Sequence, residues 1–173
     1  MVVALVDDDD GNACFVLTRR GDRMREHRGQ WALPGGRLDD GEHATAAALR
    51  ELDEEVYLSP GHDAVLGVLD DYPTRSGYVI TPIVVWCADS KALDANPDEV
   101  AAAYRVPIAE LEKPDVPNLR SIPESDRPVI SIPLLGHNIH APTAAVLFQF
   151  REVALHGRAT RVDHYEQPVF AWR

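Results

Sequence analysis

Apolar and polar positions follow two different periods along this chain, and together they predict a protein that mixes strands and helices. Short apolar runs predict strands at 2–6 and 13–20, with the Asp- and Gly-containing stretch 7–12 as a hairpin turn. Further strands are predicted within 63–72 and 77–88, and a short strand followed by a helical turn within 102–111.

Two stretches show the helical period instead. Within 42–56, Leu49, Leu52 and Val56 fall on one side of the helix and predict a stripe that packs on the core. Within 141–157, Pro142 comes early and Gly157 comes late, as is typical of a helix. Its predicted core face consists of Val146, Leu147, Phe150, Val153 and Ala154.

The remaining segments are expected to be irregular. Residues 107–133 contain six of the thirteen prolines, which predicts a long surface excursion rather than a helix or a central strand. The tail at 158–173 is expected to be extended and apolar enough to dock, with a second copy of the chain as one candidate surface, that is, a homodimer. No repeat or shift in composition marks a boundary, so 1–173 is expected to form a single domain.

Composition and net charge limit the kinds of ligand that this chain is expected to bind. The chain has 173 residues, 45% hydrophobic and 26% charged, which is typical of a soluble globular protein. Its net charge of −11 argues against binding to a nucleic acid polymer. Five of the fifteen arginines nevertheless fall between positions 19 and 28, and a local cationic patch on an acidic protein suits a small anionic ligand.

Compartment and redox state are predicted from what the chain contains. Cys14 and Cys87 lie in strand-like apolar runs and are expected to be buried free thiols. No cationic leader and no apolar run of about 18 residues is readable, so we expect a cytoplasmic protein that does not enter the membrane.

The helix at 42–56 carries an unusual acidic face. Glu51, Glu54 and Glu55 fall on one arc, opposite the apolar stripe, and Arg50 lies four residues before Glu54. A solvated face is one explanation. The other is a cation, because hard divalent ions such as Mg²⁺ prefer carboxylate oxygens and bridge to phosphate groups.

The residues around this face resemble the Nudix box, which places Gly, five residues, Glu, seven residues, then Arg-Glu-aliphatic-any-Glu-Glu-any-Gly-aliphatic. The matching positions are Gly36, Glu42, Arg50, Glu51, Leu52, Glu54, Glu55 and Leu58. Tyr57 stands where the late Gly is expected, which changes how the helix can end but replaces no metal ligand.

The resemblance implies a Nudix-type α/β/α sandwich, in which a mixed sheet lies between helices and the box forms a loop–helix–loop motif. It implies that Glu51, Glu54 and Glu55 bind Mg²⁺ or Mn²⁺, with the Gly36 carbonyl nearby and Glu42 as a further ligand. Arg50 would orient these carboxylates. The implied activity is hydrolysis of a pyrophosphate that links a nucleoside to another moiety.

The identity of the general base is left open at this stage. Glu54 and Glu55 are candidates within the helix, and Glu99, on a later loop, is a third. The simpler interpretation of Glu99 is an exposed loop acid.

The stretch 17–36 narrows the substrate. It is similar to the coenzyme A pyrophosphatase element that precedes some Nudix boxes, and the matching positions are Leu17, Thr18, Arg20, Arg25, Gly29, Pro34, Gly35 and Gly36. The departures are Val16, Gly21 and Leu33.

The similarity implies that Arg20 and Arg25, with Arg28 as a third, contact substrate phosphates. Coenzyme A or a thioester of it is therefore the favoured substrate, giving 3′,5′-ADP and 4′-phosphopantetheine. ADP-ribose, a dinucleotide or a modified nucleoside triphosphate is the alternative, and a catalytically silent nucleotide-binding module is a third hypothesis.

Overall fold

The computed structural model describes residues 1–21 and 29–172. These residues divide into two compact units, each with its own sheet. The first unit consists of Met1–Val68 and Ile83–Ile108, and the second consists of Leu69–Pro82 and Ala109–Arg173. The expectation of a single domain over 1–173 stays a prediction.

The first unit contains a six-stranded mixed sheet and one long helix. The strands are β1 (Val2–Asp7), β2 (Ala13–Arg20), β3 (Trp31–Ala32), β4 (Val65–Val68), β7 (Ile83–Trp86) and β8 (Val100–Pro107). The sheet order is β3-β2-β1-β7-β4, and β8 also pairs with β2. Only β1 and β7 pair in parallel; the other pairs are antiparallel. The prediction of an α/β fold with a mixed sheet is therefore confirmed.

The hairpin between β1 and β2 forms where it was predicted, and Asp8 explains its shape. The Asp8 carboxylate accepts hydrogen bonds from the backbone N–H groups of Asp10 at 3.0 Å and of Asn12 at 2.7 Å. Gly11 completes the turn at a φ of +80°. The acidic run at 7–10 is thus explained locally as turn chemistry.

Helix α1 (Ala44–Val56) packs its apolar stripe on this sheet, as the periodicity predicted. Leu52 and Val56 are fully buried, and Leu49 packs against them from the edge of the cluster. The cluster also contains both cysteines. Cys14 and Cys87 are buried free thiols, and burial raises the pKa of the Cys87 thiol to about 11.

Tyr57 ends α1 in the left-handed conformation, with φ 57° and ψ 27°. The N–H of Tyr57 donates to the carbonyl of Asp53 at 3.1 Å, and the N–H of Leu58 donates to that of Leu52 at 3.2 Å. The Tyr57 bond is that of the αL capping motif, in which the N–H of a left-handed residue donates to the carbonyl four residues earlier, and glycine normally occupies this position. Tyr57 therefore keeps the geometry of the missing Gly and accepts the steric cost.

The second unit contains the rest of the regular structure. Strands β5 (Tyr72–Pro73) and β6 (Val79–Ile80) form a two-stranded sheet. Strands β9 (Asn118–Ile122), β10 (Ser125–Leu134) and β11 (His137–His140) form a three-stranded sheet with β10 in the middle. Helix α2 (Thr143–Phe150) continues as a π-helical turn at Arg151–Leu155, which confirms the predicted helix. Its predicted core face is confirmed at Val146, Leu147 and Phe150, which are buried, and is wrong at Val153 and Ala154, which are exposed on the π-helical turn, where the helical period changes.

The expectation of a surface excursion at 107–133 is wrong, because most of this segment folds into β9 and β10. Two prolines are tolerated in β10 for separate reasons. Pro128 lies in the register shift between Ser125 and Val129, where pairing with β9 is interrupted. Pro133 lies beyond Ser131, where pairing with β9 stops. Neither proline therefore interrupts the regular ladder with β9.

The described part of the tail, residues 158–172, folds back within the second unit. Glu166 bridges to Val129 of β10 and is 2% exposed. The N–H of Glu166 donates to the carbonyl of Pro128 at 2.9 Å, and the Trp172 indole donates to the carbonyl of Gln167 at 2.8 Å. The expected docking is thus seen inside this unit. The homodimer stays a prediction.

A search of residues 1–21 and 29–172 finds no helix that is both long enough and apolar enough to cross a bilayer.

Candidate metal site

Helix α1 places two glutamates of its acidic face on the protein interior. Glu51 and Glu55 are one helical turn apart, and they are 9% and 5% exposed. Glu99, which immediately precedes β8, completes the group. One carboxylate oxygen from each of Glu51, Glu55 and Glu99 lies within 4.8 Å of the other two. Two of the three acids of this face, Glu51 and Glu55, therefore converge in a buried cluster and are not part of a solvated surface.

The position of Glu99 differs from the simpler interpretation of this residue as an exposed loop acid. It is half-buried within the cluster, so the interpretation as an exposed loop acid is wrong. Its carbonyl accepts a hydrogen bond from the N–H of Gly21 at 3.2 Å. This contact ties the Glu99 turn to the end of β2, a long-range placement that no local pattern contains.

Arg50 holds the outer side of the cluster together. Its Nη1 donates to Glu51 at 2.9 Å and to Glu54 at 2.7 Å, while Nε and Nη2 each donate to an oxygen of Glu42 at 3.0 Å. Nη2 also donates to the carbonyl of Arg37. The predicted role of Arg50 in orienting carboxylates agrees with these contacts.

Two of the predicted ligands lie apart from the cluster. Glu54 is exposed and ion-paired with Arg50. Both oxygens of Glu42 accept from Arg50, whose hydrogen bonds hold the pKa of Glu42 below its usual range. Metal binding by Glu42 and by Glu54 stays a prediction.

The turn before α1 brings backbone against the buried carboxylates. The N–H of Gly35 donates to Oε2 of Glu55 at 3.1 Å. Gly36 lies so close to Glu51 that a Cβ built on it would overlap the Glu51 carboxylate. The absence of a side chain at Gly36 is thus required by close approach. Gly36 thus lies beside Glu51, and the predicted place of its carbonyl at the metal stays a prediction.

Burial is the main cause of the raised pKa values of Glu51 and Glu55. Burial raises the pKa of Glu55 to about 7, and the neighbouring Glu51 charge adds to this effect against the Gly35 hydrogen bond. Burial also raises the pKa of Glu51, opposed by the Arg50 hydrogen bond. Without a cation, the site holds acidic side chains in an environment that disfavours their charge.

This donor set fits a hard divalent cation. All three converging side chains offer carboxylate oxygens, with no nitrogen or sulfur donor among them. Mg²⁺ and Mn²⁺ prefer such ligands, and a divalent charge would offset the repulsion that raises the pKa of Glu55. Glu51, Glu55 and Glu99 are therefore the residues that would hold the ion.

The predicted phosphate-binding arginines are only partly covered by the described residues. Arg20 ends β2 and lies near Glu55, where its charge opposes the upward shift of the Glu55 pKa. Its Nε is buried and meets no hydrogen-bond acceptor within the described part of the chain. Arg25 and Arg28 lie outside the described residues.

Sequence reasoning missed two contributors to the site, Asn96 and the Gly35 N–H. Asn96 precedes Pro97, a dipeptide that favours the start of a turn, and this was the available signal. The backbone donor of Gly35 leaves no trace in side-chain chemistry.

Comparison with known proteins identifies this arrangement. Residues 1–125 match the family model for the NUDIX domain. A protein of Escherichia coli K12 named "Uncharacterized Nudix hydrolase NudL" is 42% identical over 97 residues, covering 56% of this chain and 50% of that protein. Its counterpart in Escherichia fergusonii is 41% identical over the same shares. The chain thus spans about half the length of these curated relatives.

Solved structures support the fold. A MutT/nudix family protein from Enterococcus faecalis superimposes with a TM-score of 0.57 at 18% identity, covering 88% of this chain and 60% of that one. RenU, a Nudix hydrolase from M. Smegmatis, gives a TM-score of 0.52 at 18% identity, covering 90% and 84%. At this identity the likeness concerns the fold alone.

Proposed function

The chain belongs to the Nudix family, and from this premise we propose that it hydrolyses the pyrophosphate bond of nucleoside diphosphate derivatives with the help of Mg²⁺ or Mn²⁺. The favoured substrate is coenzyme A or one of its thioesters. Water adds across the P–O–P bridge, one P–O bond breaks, and the products are 3′,5′-ADP and a 4′-phosphopantetheine species.

The observation that carries the proposal is the convergence of Glu51, Glu55 and Glu99 within 4.8 Å. Three half-buried or buried acids at this spacing are costly for a protein that has no use for them. Their repulsion becomes useful when a divalent cation joins them to a pyrophosphate, which is itself anionic.

The bound cation would supply charge neutralisation at the phosphate oxygens and a more acidic water. The role of the protein residues is to hold the carboxylate ligands and to position them. Arg50 fixes Glu51 from the outer side while Gly36 admits it closely from the other. Gly35 fixes one oxygen of Glu55. These contacts keep the ligand oxygens in place before the substrate arrives.

Glu99 is our choice for the general base as well as a cation ligand, because a carboxylate carries two oxygens and only one of them is needed to hold the ion. The Arg50 ion pair engages Glu54, and the Gly35 hydrogen bond engages Glu55. Within the described part of the chain, no hydrogen-bond donor reaches the Glu99 carboxylate, so it is the member of the cluster best able to accept a proton from the attacking water.

The coenzyme A assignment is supported by the element at 17–36 and by the position of Arg20. A guanidinium near Glu55, with a buried Nε lacking a described acceptor, is suited to the phosphate of a substrate whose pyrophosphate meets the cluster. Coenzyme A also carries a 3′-phosphate, which gives further anionic charge for the arginines at 25 and 28.

The test is turnover with Mg²⁺ on a panel of coenzyme A, acetyl-coenzyme A, ADP-ribose, NADH, a diadenosine polyphosphate and an oxidised guanine triphosphate. Products are separated by chromatography. Glu55→Gln and Glu99→Gln remove cluster members, and Glu54→Gln, an acid of the same helix outside the cluster, is the matched comparison.

Preferential release of 3′,5′-ADP, lost in Glu55→Gln and Glu99→Gln, is the expected result. Cleavage of another panel member would keep the metal cluster and overturn the coenzyme A assignment. Binding without cleavage of any member would favour the silent nucleotide-binding module.

A further inference from the structure

A single neutral residue, Asn96, joins the Glu99 turn to the end of helix α1. Its backbone N–H donates to the carbonyl of Glu55 at 2.9 Å. Its side-chain Nδ2 donates to the carbonyl of Glu54 at 2.7 Å. Two carbonyls in the last turn of α1, which have no partner within the helix, are thus satisfied by one residue.

The acceptor atoms of Asn96 organise the other side of the connection. Its Oδ1 accepts the N–H of Asp98 at 3.2 Å. Its backbone carbonyl accepts the N–H of Glu99 at 3.0 Å and that of Val100 at 2.9 Å. Asn96 therefore closes the turn that presents Glu99 and anchors that turn to α1.

The connection is short and rigid. Two residues, Pro97 and Asp98, separate Asn96 from Glu99 along the chain, and the hydrogen bond at the other end is to the carbonyl of Glu55, itself a member of the carboxylate cluster. The side chain adds the Nδ2 bond to the Glu54 carbonyl and the Oδ1 bond from Asp98, so its loss would loosen the turn that carries Glu99 relative to Glu51 and Glu55.

The neutrality of Asn96 suits this position. A Lys or Arg could also donate to the Glu54 carbonyl, but its charge would compete with a cation for the carboxylates of the cluster. An Asp would place a negative charge against carbonyls at the negative end of the helix dipole. An amide offers both a donor and an acceptor without either cost.

We infer that Asn96 is a positioning residue that sets the place of Glu99 opposite Glu51 and Glu55, and thereby the strength with which these carboxylates hold a divalent cation. This inference rests on the proposed function, because it takes the cluster to be a cation site.

The test is a double-mutant cycle read out as Mn²⁺ affinity. Metal-stripped protein is titrated with Mn²⁺, and the free ion is measured by electron paramagnetic resonance. Asn96→Ala is expected to weaken binding by about tenfold, as removing a partner that orients a metal ligand does. In the Glu99→Gln background, the same change is expected to alter affinity by less than about twofold, because the ligand that Asn96 positions is already lost.

Asp94→Ala is the matched control. Asp94 lies in the same loop and contacts the end of α1 through its backbone N–H, which the substitution retains, while its side chain accepts, among residues 1–21 and 29–172, only from the N–H of Ala95. Its Mn²⁺ affinity should stay within about twofold of wild type. Asn96→Ser, whose shorter hydroxyl can still accept from the Asp98 N–H but lacks the reach of the amide to the Glu54 carbonyl, is measured in parallel, so that the result does not depend on the folding of one variant.

Two results would overturn the inference while leaving the proposed function intact. One is an unchanged affinity in Asn96→Ala and Asn96→Ser when Glu99→Gln clearly weakens binding. The other is an equal loss in both backgrounds, which would mean that Asn96 acts through general stability. Absence of Mn²⁺ binding by the wild-type protein would instead remove the proposed function, and the inference with it.

Discussion

The backbone N–H of Gly35 donates a 3.1 Å hydrogen bond to a carboxylate, that of Glu55, which is only 5% exposed. This single donor does not offset the burial of the charge, which raises the pKa of Glu55 to about 7. The metal-free protein therefore contains a side chain that is better suited to the bound state than to the free one.

Removing this charge should stabilise the metal-free protein. Glu55→Gln keeps an acceptor for Gly35, and at pH 8 we expect it to raise the free energy of unfolding by about 1–3 kcal/mol, since a shift of one pKa unit corresponds to about 1.4 kcal/mol. Urea denaturation in the presence of a chelator measures this change.

The pH dependence of that gain has a defined sign. The pKa of Glu55 is raised on folding, so the folded state binds more protons than the unfolded state between its ordinary pKa and about 7. The advantage of Glu55→Gln should therefore be near zero at about pH 4.5 and reach its full size above about pH 7. Glu54→Gln, which alters an exposed acid, should show no such gain. A constant difference between Glu55→Gln and wild type across this range would refute the burial argument.

Gly36 should be intolerant of even one methyl group. In Gly36→Ala the new Cβ would overlap the Glu51 carboxylate, and we expect Mn²⁺ affinity to fall by about tenfold as Glu51 is displaced. The melting temperature should change less, because a side chain gives way and not the backbone. Gly67→Ala in β4 is the control, since a Cβ there meets nothing within 4 Å. Equal Mn²⁺ affinity in the two variants would contradict the close approach.

Tyr57 offers a stabilising substitution away from the cluster. Tyr57→Gly should relieve a left-handed conformation that costs an L-residue about 1–2 kcal/mol, partly offset by about 0.4–1 kcal/mol of added chain entropy in the unfolded state. We expect a net gain of up to about 1 kcal/mol, or a melting temperature higher by about 2–4 °C. Tyr57→Ala keeps the Cβ and should show no gain; stabilisation of both variants would mean that the tyrosine ring, not the backbone, is unfavourable.

In the second unit, the ion pair between Arg75 and Glu166 should matter much more than a surface pair. Glu166 is 2% exposed, and it accepts from Arg75 Nε and Nη2 and from the Ser125 hydroxyl. Arg75→Met would leave this carboxylate buried without its cation, at a cost of about 2–4 kcal/mol once the half-exposed guanidinium is allowed for. Thermal unfolding measures the loss.

The matched control is Lys113→Met, which breaks the exposed pair with Glu110 and should cost less than about 0.5 kcal/mol. The pH dependence gives a second check. Burial tends to raise the pKa of Glu166, but hydrogen bonds from Arg75, Gln167 and Ser125 hold it below its usual range. The stability from this pair is therefore present above about pH 4.5 and lost as the pH falls further. Arg75→Met should lose that dependence, and a variant as acid-sensitive as wild type would contradict it.

The fold was predictable from sequence where the determinants were local. The apolar stripe of Leu52 and Val56 predicted α1, and short apolar runs predicted β1 and β2. The prediction for 107–133 was wrong because it used the number of prolines alone. Whether a proline breaks a strand depends on how that strand pairs with its neighbours. Whether Pro133 interrupts a sheet depends on where β9 ends, and that is set by pairing between strands.

In the candidate site, too, the residues placed by local structure were predictable and those placed by long-range contacts were not. Glu51 and Glu55 were predictable because helical spacing brings them to one face. Glu54 has nearly the same spacing but stays exposed, since Arg50 binds it from the solvent side. Glu99 is far away in sequence and reaches the cluster through the hydrogen bonds of Asn96, which periodicity does not contain.

The two buried thiols can report how often the core of the first unit opens. Cys14 in β2 and Cys87 after β7 lie on either side of β1, and their raised pKa values keep them in the unreactive thiol form. A thiol reagent can therefore label them only when α1 and the strands that surround them move apart. The labelling rate, followed by mass spectrometry, would report how often the core between α1 and the six-stranded sheet opens to solvent.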